Sequence, residues 1–385
     1  MKSRLFLIIA TLVGLGSMTT SCSWDDDLVV APNDGDQKTP ISFNVNIGSL
    51  PDPEVTTRGY SDPKAAGDYY FWANDVVAIG IQGVSGSVRD KNAEVVKKYN
   101  VEKGSATSTL DLTYLSESDD SSGYPFDWLG TSEVVSLRAW SYGNSSTPAT
   151  APEGRTFEIA TNQEVDITDA DGKRGSIKEL LYGARANYQN ASSINLPLYH
   201  QLSRIVVHVK NQLPSTTTIE SVSIGNNNLP ISATFSAPTG DTYNTWLYKS
   251  GYYVKVTTPT NTTDTRDKDE TAKDANVYGS WKSYGAADQS ITPKEWAAGD
   301  VPSGYDHSYS AVMLPNTYAT NTDFIDIKLD GVTKHYIYKL GAATTFKPGR
   351  QYTFYITLLD EIRFTVSVAV SAWNTTDGAT PTYNF

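Results

Sequence analysis

One cysteine, Cys22, stands among the 385 residues, so no intrachain disulfide is available. Stability therefore has to come from core burial and sheet pairing. Histidine is also scarce. His200, His208, His307 and His335 lie too far apart for metal-ligand spacing, and His200 and His208, eight apart around the start of a strand, read as structural residues. The sequence contains no His-Glu-x-x-His, paired-cysteine, P-loop or nucleophile-elbow pattern, so it reads as a protein without catalytic machinery or cofactor. Neither Asp25-Asp26-Asp27 nor the group Asp264, Asp267, Asp269 and Asp274 follows the ligand spacing of an EF-hand loop, and both read as solvated charge. Positive charge is in deficit as well. A net charge of −12 argues against nucleic acid and anionic membrane surfaces as partners. Long amphipathic helical patterns are few.

What is present begins with a basic start, Met1-Lys2-Ser3-Arg4, followed by an apolar stretch over residues 5–15. That stretch is too short to cross a bilayer and fits a secretory signal over residues 1–21. Small residues fill the three positions before Cys22, although no leucine stands three residues ahead of it. A lone exported cysteine without a disulfide partner in this setting reads as a lipoprotein box, with Cys22 acylated and anchored in the outer membrane. Residues 22–40 read as a polar tether. Its opening, Ser23-Trp24-Asp25-Asp26-Asp27, resembles the acidic run behind the lipidated cysteine of surface-exported Bacteroidetes lipoproteins.

Downstream, short alternating runs separated by turn residues recur, and Tyr, Thr, Ser, Asn and Gly are abundant. This pattern predicts an all-β sandwich protein, and the length suits two domains, placed at 41–194 and 195–385. The first alternation, over 41–47, puts Ile41, Phe43, Val45 and Ile47 on one face of a strand. Pro51, Asp52, Pro53, Thr56, Thr57 and Gly59 then favour an exposed loop, and Arg58 lies near its end. Further strands are expected at 76–81, 93–101, 107–113, 134–142, 204–210, 219–225, 244–256, 308–314, 323–339 and 351–358. Residues 257–275, charged and of low complexity, read as a mobile surface loop. The strongest alternation covers 362–370, with Ile362, Phe364, Val366, Val368 and Val370 on one face, followed by Trp373 and an irregular tail. Trp24, Trp128, Trp246, Trp281 and Trp296 suit either a sandwich core or, where exposed, stacking on sugars.

Several of these stretches together resemble the fimbrillin family, the subunits of type V pili of Bacteroidales. They are the lipobox, the strand followed by Thr56-Thr57-Arg58-Gly59, Phe71-Trp72-Ala73-Asn74-Asp75 with the apolar run after it, and Glu179-Leu180-Leu181-Tyr182-Gly183. To these are added His200-Gln201-Leu202-Ser203-Arg204, Phe346-Lys347-Pro348-Gly349-Arg350 and the closing Val370-Ser371-Ala372-Trp373. The resemblance implies two tandem transthyretin-like β-sandwich domains and a fimbrium on the cell surface. It also implies an assembly route in which an arginine-specific surface protease cuts after Arg58. The strand bearing Ile41, Phe43, Val45 and Ile47 is then lost, and a C-terminal strand of another pilus subunit takes its groove. Ile362, Phe364, Val366, Val368, Val370 and Trp373 are the candidates for that replacing strand or its neighbour. The alternative reading is a pilus-tip adhesin or surface lipoprotein that recognises a host glycan or protein through loops such as 115–130 or 257–300.

Overall fold

Apolar runs become strand wherever both faces can be covered, as over Val76–Gly83 and Val134–Ser141, which are buried almost without interruption. The computed structural model describes residues 39–41, 43–47, 75–83, 89–90, 93–101, 112–114, 126–130, 133–143, 147–164, 167–168, 174–175, 179–189, 194–214, 217–238, 246–249, 252–258, 261–267, 278–331, 333, 335–360, 363–372 and 382–383. Among them the architecture is all-β, with one short 3-10 turn at Ala298–Asp300.

A seven-stranded sheet carries the N-terminal half, in the order Phe43–Ile47, Ile194–His200, Leu181–Gln189, Val134–Ser141, Val76–Gly83, Val95–Val101 and Leu112–Tyr114. All its pairings are antiparallel except the first, where Phe43–Ile47 runs parallel to Ile194–His200. Ile194–His200 carries Pro197 opposite Asn46. The sheet is buried on both faces. Val77, Ile79, Ile81, Val135, Leu137 and Ala139 point into one core. Ala78, Trp140 and Tyr182 point into another, where a three-stranded sheet of Thr156–Glu158, Ser232–Ser236 and Ser280–Lys282 covers them. Tyr182 packs on Phe235 at 5.6 Å between ring centroids, and Trp281 on Phe235 at 5.2 Å.

The C-terminal half is a sandwich. A six-stranded sheet runs Lys294–Glu295, His307–Met313, Ser203–Asn211, Arg350–Asp360, Arg363–Ala372 and Thr382–Tyr383. A four-stranded sheet of Ala287–Ile291, Ile219–Pro230, Asp323–Leu329 and His335–Lys339 completes it. Ile205, Val207, Val209, Phe354 and Ile356 from the first sheet share a core with Val222, Ile224, Ile325 and Ile327 from the second.

The chain changes sheet between His200 and Ser203, so the strand Ile194–His200 pairs with the N-terminal sheet rather than with the strands that follow it. Gln201, fully buried, marks the passage. Its backbone N–H donates to the Leu180 carbonyl at 2.8 Å, and its side chain donates to the Tyr199 carbonyl at 2.9 Å. Its side-chain oxygen accepts from the Gly279 N–H, and its carbonyl from the Trp281 indole, both at 2.8 Å.

The strand expected at 244–256 is present as Trp246–Lys249 and Tyr252–Thr258, whereas Asn261–Asp267, within the stretch 257–275 read from sequence as a mobile loop, is the third strand of the same antiparallel sheet. Threonine-rich sequence is compatible with strand as well as loop, because a β-branched side chain suits the pleat once a partner strand is alongside.

Two turns test the backbone. Gly349 has φ +65°, and a Cβ there would run into the Tyr278 ring; Gly154 has φ +72° with nothing near. Gly154→Ala should cost about 1–2 kcal/mol from left-handed strain alone. Gly349→Ala should cost more, because the ring must also shift, and urea unfolding of the two variants measures the difference.

Alkaline pH tests the sandwich core. Burial, followed by the neighbouring Glu295 charge, pushes the Tyr309 phenol up, and burial does the same at Tyr318. A phenol held neutral more firmly in the fold contributes stability that is present below about pH 10 and lost as pH rises beyond it. Tyr309→Phe should reduce that alkaline loss in thermal melts taken across the range.

Candidate functional site

The strand Phe43–Ile47 is the outermost of its sheet, and its ladder with Ile194–His200 runs from Phe43 opposite Ile194 to Ile47 opposite Leu198. Alternation sends Ile41, Phe43 and Val45 inward, at 5%, 5% and 0% exposure. Just upstream, Thr39–Pro40 pairs antiparallel with Asp127–Trp128, and the Ile41 N–H donates to the Phe126 carbonyl at 2.7 Å. One short stretch of chain thus spans from the ledge at 126–128 to the edge of Ile194–His200.

Beneath it lies a groove. Ile194, Leu196 and Leu198, all fully buried, form one wall, and Tyr99, Phe126 and Trp128 form the other. Phe43 meets Tyr99 edge-on at 5.5 Å and Phe126 at 6.3 Å between centroids.

The ledge is held by groups outside the strand. Arg89 donates from Nε to Glu133 Oε1 at 2.9 Å and from its terminal nitrogen to the Asp127 carbonyl at 2.7 Å. Glu133 Oε2 accepts from the Leu129 N–H at 2.7 Å. Lys97 Nζ lies 5.2 Å over the Phe126 ring. These contacts brace the wall from outside the strand, in addition to the pairing of the ledge with Thr39–Pro40 and the Ile41 N–H.

Magnitudes show why tethering matters. Burying three such side chains contributes at most about 1.5–3 kcal/mol each. Ordering an extended segment costs about 1–2 kcal/mol per residue. The two nearly cancel over this length, so occupancy leans on the covalent link that keeps the strand at high local concentration.

The residues singled out in the sequence fall into separate places. Ile41, Phe43 and Val45 line the groove, and Ile47 extends their strand. Phe364, Val366, Val368 and Val370 pack instead against the core of the C-terminal sandwich. Their strand, Arg363–Ala372, lies between Arg350–Asp360 and the short Thr382–Tyr383, which meets it at Val368 and Ala369. Cys22, Arg58, Ile362 and Trp373 lie outside the described residues. Trp128 is a groove residue and Trp281 packs on Phe235. His200 pairs with buried Glu179, and His208 bonds Ser308 at 2.7 Å against the rings of Trp296, Tyr305 and Tyr355. The ledge residues Arg89, Tyr99, Phe126 and Glu133 were not anticipated. The one available signal for the last turn of the ledge was the apolar spacing of Phe126 and Trp128 around Asp127.

The fimbrillin-like family matches residues 72–373, and the chain belongs to that family. Its fold is similar to that of a candidate cell adhesion protein from Bacteroides ovatus, at TM-score 0.51 and 14% identity, covering 89% of this chain and 100% of that one. A candidate cell adhesion protein from Bacteroides uniformis aligns at TM-score 0.49 and 13% identity over 89% and 99% of the two chains. The tip fimbrial protein of Porphyromonas gingivalis, truncated at its C-terminus, aligns at TM-score 0.40 and 8% identity over 78% and 95%. No curated protein sequence matches the chain.

Phe43→Ala should remove the aromatic contact at the groove and lower stability by about 3–5 kcal/mol in urea unfolding. Val95→Ala, at a side chain 46% exposed, is the control and should stay within about 0.5 kcal/mol.

Proposed function

We propose that this chain is a structural subunit of a cell-surface pilus, assembled by proteolysis-triggered strand exchange. The observation that carries the proposal is the parallel edge strand over an apolar groove whose far wall is also braced by Arg89 and Glu133. Membership of the fimbrillin-like family supports the same reading. In this scheme the precursor is exported, Cys22 is acylated and anchors it in the outer membrane, and an arginine-specific surface protease cuts after Arg58. The strand bearing Ile41, Phe43, Val45 and Ile47 then has no covalent link to the rest of the chain and dissociates. A C-terminal strand from the next subunit, of the same or a different kind, takes its place. Backbone hydrogen bonds supply the affinity, and alternate side chains fill the pockets.

Two tandem domains divide the work in this reading, the first holding the groove and the second supplying the donor. Withdrawing Arg363–Ala372 from its sheet would expose buried Val368 and Ala369. Releasing Thr382–Tyr383 breaks only a two-residue pairing. The donor proposed here is therefore the neighbour of the Phe364–Val366–Val368–Val370 face rather than that strand itself.

Limited digestion of the full chain with an arginine-specific protease, followed by N-terminal analysis and sizing, tests the scheme. Cleavage after Arg58 should be early and accompanied by growth of oligomers, and Arg58→Ala should leave an uncleaved monomer. Normal assembly by that variant would remove the mechanism.

A further inference from the structure

A pocket of about 220 Å³ opens on the C-terminal half and includes none of the groove residues. Its floor is rigid. Phe346, 1% exposed, stacks on Phe324 at 4.8 Å and meets Tyr352 at 4.6 Å, while Trp281 is fixed by its indole bond to Gln201. Tyr284 stands at the rim, one of few large apolar side chains left exposed among the described residues. Ser283, just before it, has φ +52°, a conformation that side chains other than glycine adopt at a cost. The Tyr284 hydroxyl donates to the Pro315 carbonyl, so the ring cannot swing away. The backbone is bent, in effect, to hold an aromatic ring at the mouth of the pocket.

The remaining rim is polar. Asn316, Thr317 and Thr345 contribute an amide and two hydroxyls, the latter bonded to each other at 2.9 Å. Lys347 closes the other side. Its backbone is tied at both ends, the N–H to the Tyr352 hydroxyl at 2.7 Å and the carbonyl to the Ser203 hydroxyl at 2.9 Å. Its exposed ammonium forms no ion pair among the described residues. On an acidic chain, an exposed lysine whose backbone is held beside an aromatic pocket favours an anionic ligand there.

We propose that this pocket binds one carbohydrate unit bearing a carboxylate. The exposed tyrosine ring offers the apolar face of the sugar a surface, as aromatic side chains do where one end of a ligand is wet. The amide and hydroxyls pair with ring hydroxyls, and Lys347 meets the carboxylate. A few convergent polar groups around an aromatic floor are the expected make-up of a small-ligand site, and the volume suits a single ring rather than an oligosaccharide. The inference does not depend on strand exchange, because the pocket is complete in a single uncut chain.

The test is an NMR titration of the full, uncut chain with sodium glucuronate, with N-acetylneuraminate as a second acidic sugar and glucose as the neutral analogue. Saturable shifts in the Trp281 indole signal are expected with the acidic sugars, and glucose should bind about tenfold more weakly. Tyr284→Ala should weaken glucuronate binding about tenfold, whereas Tyr284→Phe keeps the ring and should retain most of it. Lys347→Met, at an exposed side chain, should abolish the preference for glucuronate over glucose. Equal responses to glucose and glucuronate, no saturation at any sugar concentration reached, or unchanged binding by Lys347→Met would overturn the proposal. So would equally tight binding of an acidic tripeptide, which would assign the site to carboxylates in general.

Discussion

The edge of Ile194–His200 has to be covered. Its outer row of backbone groups needs a partner, and Ile194, Leu196 and Leu198 need a lid. In the intact chain that duty falls to a strand from the far N-terminus, joined to the next described residue, Asp75, only through sequence that carries Arg58. Most folds give such a position to a strand fixed on both sides by short turns. Here the covering strand is the outermost of its sheet, is parallel where its neighbours are antiparallel, and is separated in sequence from the strand it covers by almost the whole N-terminal half. Among the described residues, the other backbone links of this segment are the brief pairing of Thr39–Pro40 with Asp127–Trp128 and the bond from the Ile41 N–H to the Phe126 carbonyl.

Around that edge strand the rest of the structure is cross-braced. The Arg89–Glu133 pair braces the ledge from behind, and the seven-stranded sheet is fastened on its opposite face to the three-stranded sheet by Tyr182, Phe235 and Trp281. Gln201 then ties the passage between halves to both Leu180 and Gly279. The two apolar cores are distinct, so losing contacts in one does not by itself open the other. The packing beneath the edge strand and the core of the second half are thereby separate. The sugar pocket draws on the second core alone.

Much of the strand content was legible from alternation where one face is covered and from short apolar runs where both are. Ile41, Phe43 and Val45 were readable as one face for that reason. Their partner was not. Nothing local in 43–47 specifies a parallel ladder with residues some 150 positions later, since register across such a separation is decided by tertiary packing. Residues 261–267 were misjudged because polar, threonine-rich sequence is equally at home in loop and in strand, and only the neighbouring Tyr252–Thr258 decides. The pocket was half visible. Trp281 could be named from its chemistry, but Tyr284, Lys347 and the polar rim come from segments far apart in sequence, and their convergence follows from the fold.

Pro197 sits near the middle of the strand that forms the groove wall. Proline brings no N–H, so the row of donors along that strand is interrupted. An uninterrupted, flat apolar edge is a template on which almost any extended chain can nucleate, including misfolded copies and unrelated polypeptides. A broken row selects against such indiscriminate stacking, because a uniform strand gains less from it than one whose side chains suit the pockets. A proline at this position thus weighs against amyloid-like growth at an edge whose cover comes from distant sequence.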